Sequence, residues 1–157
     1  MEKTEFSGLY LQLLPNLYSI AVSMLRNRAD AEDAVQQTAL KAWLHAGKIR
    51  SGSEKAYITR ILINECHNIQ RSRYRTVPVA EFYETGSDDR EIFELRDAIA
   101  RLPEKLRTAF LLVYQEGYSH HDASEALGIH PVALKSRLKR AKMQLRSQLI
   151  EFKEEKS

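Results

Sequence analysis

The sequence predicts an all-α protein of two small helical domains joined by an acidic linker, with bounds at 1–75, 76–89 and 90–157. Three observations predict it. Only 6 Gly and 4 Pro occur among 157 residues, too few punctuating positions for many short strands. Apolar residues recur at steps of three and four, so that one helix face at a time is apolar. Charge is segregated along the chain. Residues 1–75 carry 11 basic and 7 acidic side chains (+4), residues 76–102 carry 3 and 7 (−4), and residues 103–157 carry 10 and 7 (+3). Two cationic modules around an acidic connector suit two contacts with one polyanion.

The first helix is expected over Phe6–Leu25, with Leu9, Leu13, Leu17, Ile20, Ala21 and Met24 on one face; Pro15 predicts a kink or break within it. A second helix begins near Asp30, where Asp30, Glu32 and Asp33 set negative charge against the positive helix end. Its buried face is Ala31, Ala34, Val35, Thr38, Ala42 and Trp43. Residues 45–53, with two glycines and two serines, form a loop. A third helix spans about Glu54 to Arg73, with Tyr57, Ile58, Ile61, Leu62 and Ile69 apolar and arginines at 71, 73 and 75. Thr76–Asp89, holding Pro78, Gly86 and Asp88-Asp89, is the linker; its acids Glu81, Glu84, Asp88 and Asp89 are expected to screen the cationic faces at low salt. A fourth helix covers Arg90–Arg101, and Pro103 opens a fifth that runs to about Glu116. Ser119–Leu127 and Pro131 to about Ile150 complete the set.

The last two helices carry the sharpest signal. Ser119 stands in an N-cap position with Asp122 three residues on, and Gly128 supplies the left-handed residue that ends a short helix. Ile129 plugs the gap between helices, His130 takes the next cap, and Pro131 the first helical position. Leu134, Leu138, Ala141 and Leu145 then form one buried stripe, which turns Ser136, Lys139 and Arg140 outward with Lys135 at their flank. Residues 131–147 include Lys135, Arg137, Lys139, Arg140, Lys142 and Arg146 and no acid. A tight turn presenting a cationic helix is the geometry of a helix-turn-helix, whose second helix enters the DNA major groove; the alternative is an ordinary helical hairpin with a solvated basic face.

With these motifs in view, the sequence resembles bacterial RNA polymerase sigma factors of the extracytoplasmic-function class, within the sigma-70 family, over roughly residues 9–150. Asp30-Ala-Glu-Asp33 followed by Val35-Gln36-Gln37-Thr38-Ala39-Leu40-Lys41-Ala42-Trp43 is similar to the family's DAEDxxQETFxxAW. Tyr57-Ile58-Thr59-Arg60-Ile61 with Asn64 resembles WLxRIAxN, and Leu102-Pro103 through Arg107 resembles LPxxxR. Leu134-Lys-Ser-Arg-Leu-Lys-Arg-Ala141 resembles VKSRLxRA. The sequence departs from the pattern at Gln37 (usually Glu), Ala39 (usually Phe), Asn68 (usually Asp), Ser124 (usually Ala) and Pro131.

The resemblance implies a region-2-like helical bundle at 1–75 and a region-4-like helix-turn-helix domain at 90–157. It implies that Asp30, Glu32, Asp33, Gln36 and Gln37 dock on the clamp helices of core RNA polymerase. Asn64, Asn68, Arg71, Arg73 and Arg75 would face the −10 element of promoter DNA, and the loop at 45–53 would capture a flipped base. Lys135, Ser136, Arg137, Lys139 and Arg140 would read the −35 element. The implied partners are core RNA polymerase, at the clamp helices and flap of its large subunits, promoter DNA, and an anti-sigma factor. The alternative function is a helix-turn-helix repressor or activator that does not bind core polymerase; it would have no use for the acidic and amide helix at 30–43.

Enzymatic chemistry is not expected. No Gly-rich phosphate loop, paired-carboxylate motif or nucleophile with a recognisable His–Asp set is present, so no catalytic residue, metal, cofactor or small-molecule substrate is assigned. His120-His121 diverge by about 100° on a helix and match no common zinc spacing. Cys66 reads as a buried structural thiol, and Trp43 and Tyr57 as core residues rather than base-stacking platforms. The apolar runs at Leu9–Leu14, Ile58–Ile63 and Phe110–Tyr114 fall short of the roughly 20 residues of a spanning helix. Met1-Glu2-Lys3-Thr4-Glu5 lacks a secretory layout, so a cytoplasmic location is expected.

Overall fold

The computed structural model describes residues 2–73 and 90–156, the last six as backbone. The expectations for 76–89, including Glu81, Glu84, Asp88 and Asp89, and for Arg75 lie outside the described residues. The described elements are all helical: α1 (Lys3–Leu25), α2 (Arg28–Leu44), α3 (Glu54–Ser72), α4 (Arg90–Ala100), α5 (Glu104–Phe110), α6 (His120–Leu127) and α7 (Pro131–Lys156).

The break expected at Pro15 does not occur. α1 runs through it without interruption. Pro15 sits on the exposed side, so the hydrogen bond it removes lies at the solvent face. Tyr10 and Leu13 before it and Leu17 and Ile20 after it anchor one continuous buried stripe. By length and composition alone α1 is also apolar enough to cross a membrane, contrary to the expectation from its short apolar runs. Its apolar face is buried inside the protein, against α2 and α3.

α2 begins two residues before Asp30. Asn27 is its cap, accepting the backbone N–H of Asp30 on its side chain at 3.0 Å. Arg26, at φ 53°, closes α1 by donating its N–H to Val22 O, so a two-residue joint separates the helices. Ala31, Ala34, Val35, Thr38 and Ala42 are buried as expected, and Thr38 returns its hydroxyl proton to Ala34 O. Trp43 is only half-buried. It lies edge-on to Phe6 at 5.8 Å, with the Lys3 ammonium 4.9 Å from its centre. The loop after α2 contains one short 3-10 turn, Ala46–Lys48.

The fifth helix also differs from expectation. Pro103 stands one residue before it rather than opening it, and the α-helix gives way at Phe110 to a π turn, Leu111–Gln115. The wider turn leaves Leu111 and Leu112 buried, and at Gly117 (φ 75°) the chain reverses so that Tyr118 donates its N–H to Leu112 O. Two guanidiniums meet at the end of α4, where Arg26 and Arg107 both donate to Ala100 O at 3.1 Å.

The two helical halves share a core. Leu17, Ile58 and Leu62 of the first pack in one cluster with Ala109, Leu112, Tyr118, Ala123 and Leu134 of the second, and α3 lies against α6. A smaller cluster, Ala98, Leu102, Ala141 and Leu145, holds α4 to α7.

Candidate nucleic-acid interface

The turn between α6 and α7 is built as its sequence predicts. Ser119 Oγ accepts the N–H of Asp122 at 3.0 Å, and Gly128 (φ 67°) ends α6 by donating to Glu125 O. Ile129 then donates to Ser124 O at 3.0 Å and packs half-buried on the core. Ser124 is buried, and its hydroxyl is satisfied by donating to His121 O. His130 caps α7 through its ring, with Nδ1 accepting the N–H of Val132 at 3.1 Å, and Pro131 is the first helical residue. Tyr118 anchors the assembly from below, exchanging a 2.7 Å hydrogen bond with Thr59 of α3. Burial pushes its phenol up to about 12. The Lys55 ammonium covers the same ring at 4.0 Å.

On α7, Leu134, Leu138, Ala141 and Leu145 are buried, and Lys135, Ser136, Lys139 and Arg140 are exposed. Arg140 donates to Ser136 Oγ at 3.1 Å, which lays its guanidinium along the helix surface. Arg137 stands apart. It is half-buried at the edge of the apolar stripe, because three residues from Leu134 and one from Leu138 turns it toward the core side.

The second candidate surface lies on α3. Asn64, Asn68 and Arg71, at spacings of four and three, are exposed on one stripe, and Arg71 donates to Asn68 Oδ1. Arg73 does not join them. It forms an ion pair with Asp30, tying the end of α3 to the start of α2. Two residues expected on separate surfaces therefore meet each other. Glu32, Asp33, Gln36 and Gln37 are exposed on α2. Leu40 and Leu44, not among the residues expected on this surface, extend the Asp33–Gln37 face by a further turn and are 54% and 69% exposed. The signal was available: alanines fill the buried side of α2, so its leucines must lie elsewhere.

The remaining candidates have ordinary roles. Cys66 is fully buried and its thiol is pushed up to about 12, chiefly by burial, with Glu65 and Glu104 adding to it. Glu65 is buried beside it and pairs with Lys41 of α2. His121 pairs with Glu125 one turn on, at 3.1 Å. His67 meets Glu104 at 3.2 Å, joining α3 to α5.

Comparison with known proteins agrees with both halves. Residues 9–76 match the family model for sigma-70 region 2, and residues 88–145 match that for sigma-70 region 4. The ECF RNA polymerase sigma factor EcfG of Rhodopseudomonas palustris is 32% identical over 86% of this chain and 80% of its own length. SigM of Mycobacterium tuberculosis, also an ECF RNA polymerase sigma factor, is 28% identical over 92% and 76%. Among solved structures, the sigma factor RpoE of Bartonella quintana, crystallised with the anti-sigma factor NepR, superposes with a TM-score of 0.74 at 30% identity, covering 92% of this chain and 96% of that one. CnrH, solved with the cytosolic domain of CnrY, shares the fold at a TM-score of 0.74 and 21% identity. Two sigma-70 regions in order and relatives along nearly the whole chain establish that this protein belongs to the ECF RNA polymerase sigma factors, transcription-initiation factors rather than enzymes.

Proposed function

We propose that the chain docks on core RNA polymerase through α2 and directs it to promoters by reading the −10 element with α3 and the −35 element with α7. One observation carries the reading of α7: over residues 131–147 its outward face is cationic and free of acids, and a capped, glycine-ended turn presents it. The division into a region-2-like part at 1–75, a connector at 76–89 and a region-4-like part at 90–157 belongs to the same proposal.

Within it, Glu32, Asp33, Gln36 and Gln37, extended by Leu40 and Leu44, meet the polymerase clamp helices; Asp30 supports that face while paired to Arg73. Asn64, Asn68 and Arg71, with Arg75, face the −10 element, and the loop at 45–53 receives a flipped base. Lys135, Ser136, Lys139 and Arg140 meet the −35 element, with Arg137 on the phosphate side. The C-terminal half contacts the polymerase flap. An anti-sigma factor is a further partner, supported by the solved relative that binds NepR. The protein acts in the cytoplasm, where its DNA lies.

Run-off transcription with core polymerase on a genomic promoter library tests the whole reading. Core polymerase with this chain should start transcripts at a shared pair of upstream motifs, absent with core alone. Binding to DNA fragments with no polymerase-dependent start sites would return the chain to the repressor or activator reading.

A further inference from the structure

Val132 is out of place on a charged surface. It lies in the first turn of α7, on the outward face, four and seven residues before Ser136 and Lys139, and it is 68% exposed. Its position is fixed from both sides: Pro131 sets the backbone angle before it, and the His130 ring holds its N–H. Arg140, drawn onto Ser136, lies two turns farther along the helix, and Lys135 stands at the flank rather than in front. The leading group of the recognition face is therefore a rigid, branched, apolar side chain.

The N-terminal residues of a recognition helix are those that meet base edges. In the major groove the apolar feature is the C5 methyl of thymine, and small aliphatic side chains read it by contact. We propose that Val132 is a specificity-determining residue that selects thymine at one position of the −35 element through this methyl. The proposal rests on the −35 reading of α7 and adds to it a contact made without hydrogen bonds or charge.

The test uses polymerase holoenzyme reconstituted with this chain and the best upstream duplex selected from a random pool. Each thymine of that duplex, on either strand, is replaced in turn by deoxyuridine, which removes only the methyl. At one position holoenzyme affinity should fall about four-fold, the worth of one buried methyl. Val132→Ser, a solvent-exposed change, should bind the thymine duplex more weakly and be indifferent to uracil there. No uracil-sensitive thymine with the native chain, or an equal uracil loss with Val132→Ser, would overturn the assignment while leaving the −35 reading intact. Selection of no upstream sequence at all would bring down that reading and the valine contact together.

Discussion

Replacing Gly128 by alanine separates backbone strain from steric crowding at the recognition turn. Gly128 closes α6 at φ 67°, ψ 35°, a left-handed conformation that costs an L-residue about 1–2 kcal/mol. An added Cβ would also lie 2.9 Å from Arg60 Nη2, closer than such atoms approach, and a tight 3.2 Å from its Cζ. Arg60 is exposed, and the crowded atoms are at the far end of a flexible side chain, so it swings away at small cost. Gly128→Ala should therefore destabilise the protein by about 1–2 kcal/mol, nearly all of it from the backbone. Urea unfolding at constant salt, with equal m-values for the variants, measures the difference. The same penalty within about 0.5 kcal/mol should appear in an Arg60→Ala background, because the two effects are nearly independent. Gly128→Asn should cost less than alanine, since asparagine tolerates the left-handed region. A penalty that disappeared with Arg60→Ala would show that collision, not strain, fixes glycine here.

Four further outcomes are expected. Tyr118→Phe should cost about 1 kcal/mol in urea unfolding and no more, because the Thr59 hydroxyl keeps its bond to Lys55 O at 2.8 Å. Burial raises the Tyr10 and Tyr118 phenols from 10.0 to about 12, so unfolded chains lose these protons first as pH rises. Their contribution should be complete below pH 10 and lost between pH 10 and 12, at up to about 1.4 kcal/mol per pH unit per group, with a shallower decline in Tyr118→Phe. Arg140→Ala should flatten base preference at one or two upstream positions in a selection from random DNA, whereas Lys142→Ala and Arg146→Ala should weaken all sequences alike and reduce the salt slope. Asp33→Lys should weaken co-elution with core polymerase at unchanged helix content by circular dichroism; normal co-elution would move the docking face elsewhere.

The helix-turn-helix was legible to the residue, because its signals are local and redundant. Ser119, Gly128, His130 and Pro131 each act on backbone within four positions, and the stripe from Leu134 to Leu145 repeats one message. Where local signals conflict, tertiary packing decides. Pro15 is a helix breaker by type, but a single lost bond on the solvent side is outweighed by apolar anchors on either side. The acids near residue 30 suggested a helix start, whereas the cap is Asn27, whose short amide reaches the N–H of Asp30. The π turn at Leu111–Gln115 has no periodic signature of its own, since one extra residue per turn looks like ordinary apolar spacing.

The contact between the two halves was illegible for a different reason: its polar members look solvated in the sequence. Glu116 accepts hydrogen bonds from Asn16 at 3.0 Å and Ser19 at 2.7 Å, partners about a hundred residues away. Thr59 finds Tyr118, and His67 finds Glu104, across similarly unadvertised distances. None of these side chains belongs to an apolar period, so helix patterning assigns them to water. The Thr59–Tyr118 bond is buried with the shared apolar core of Leu17, Ile58, Leu62, Leu112 and Ala123, whereas the Glu116 and His67–Glu104 contacts are part-buried or exposed, so the contact joins a buried centre to polar pairs nearer the surface. That composition explains how the interface and the candidate DNA surfaces coexist. The buried side of α3 supports α6, α6 supports α7, and the opposite stripes remain exposed at Asn64, Asn68 and Arg71 and at Lys135, Ser136, Lys139 and Arg140. α6, the least charged of the three, is thus the support that aims α7, the helix proposed to read DNA, and Tyr118 at its entrance fixes that support to α3.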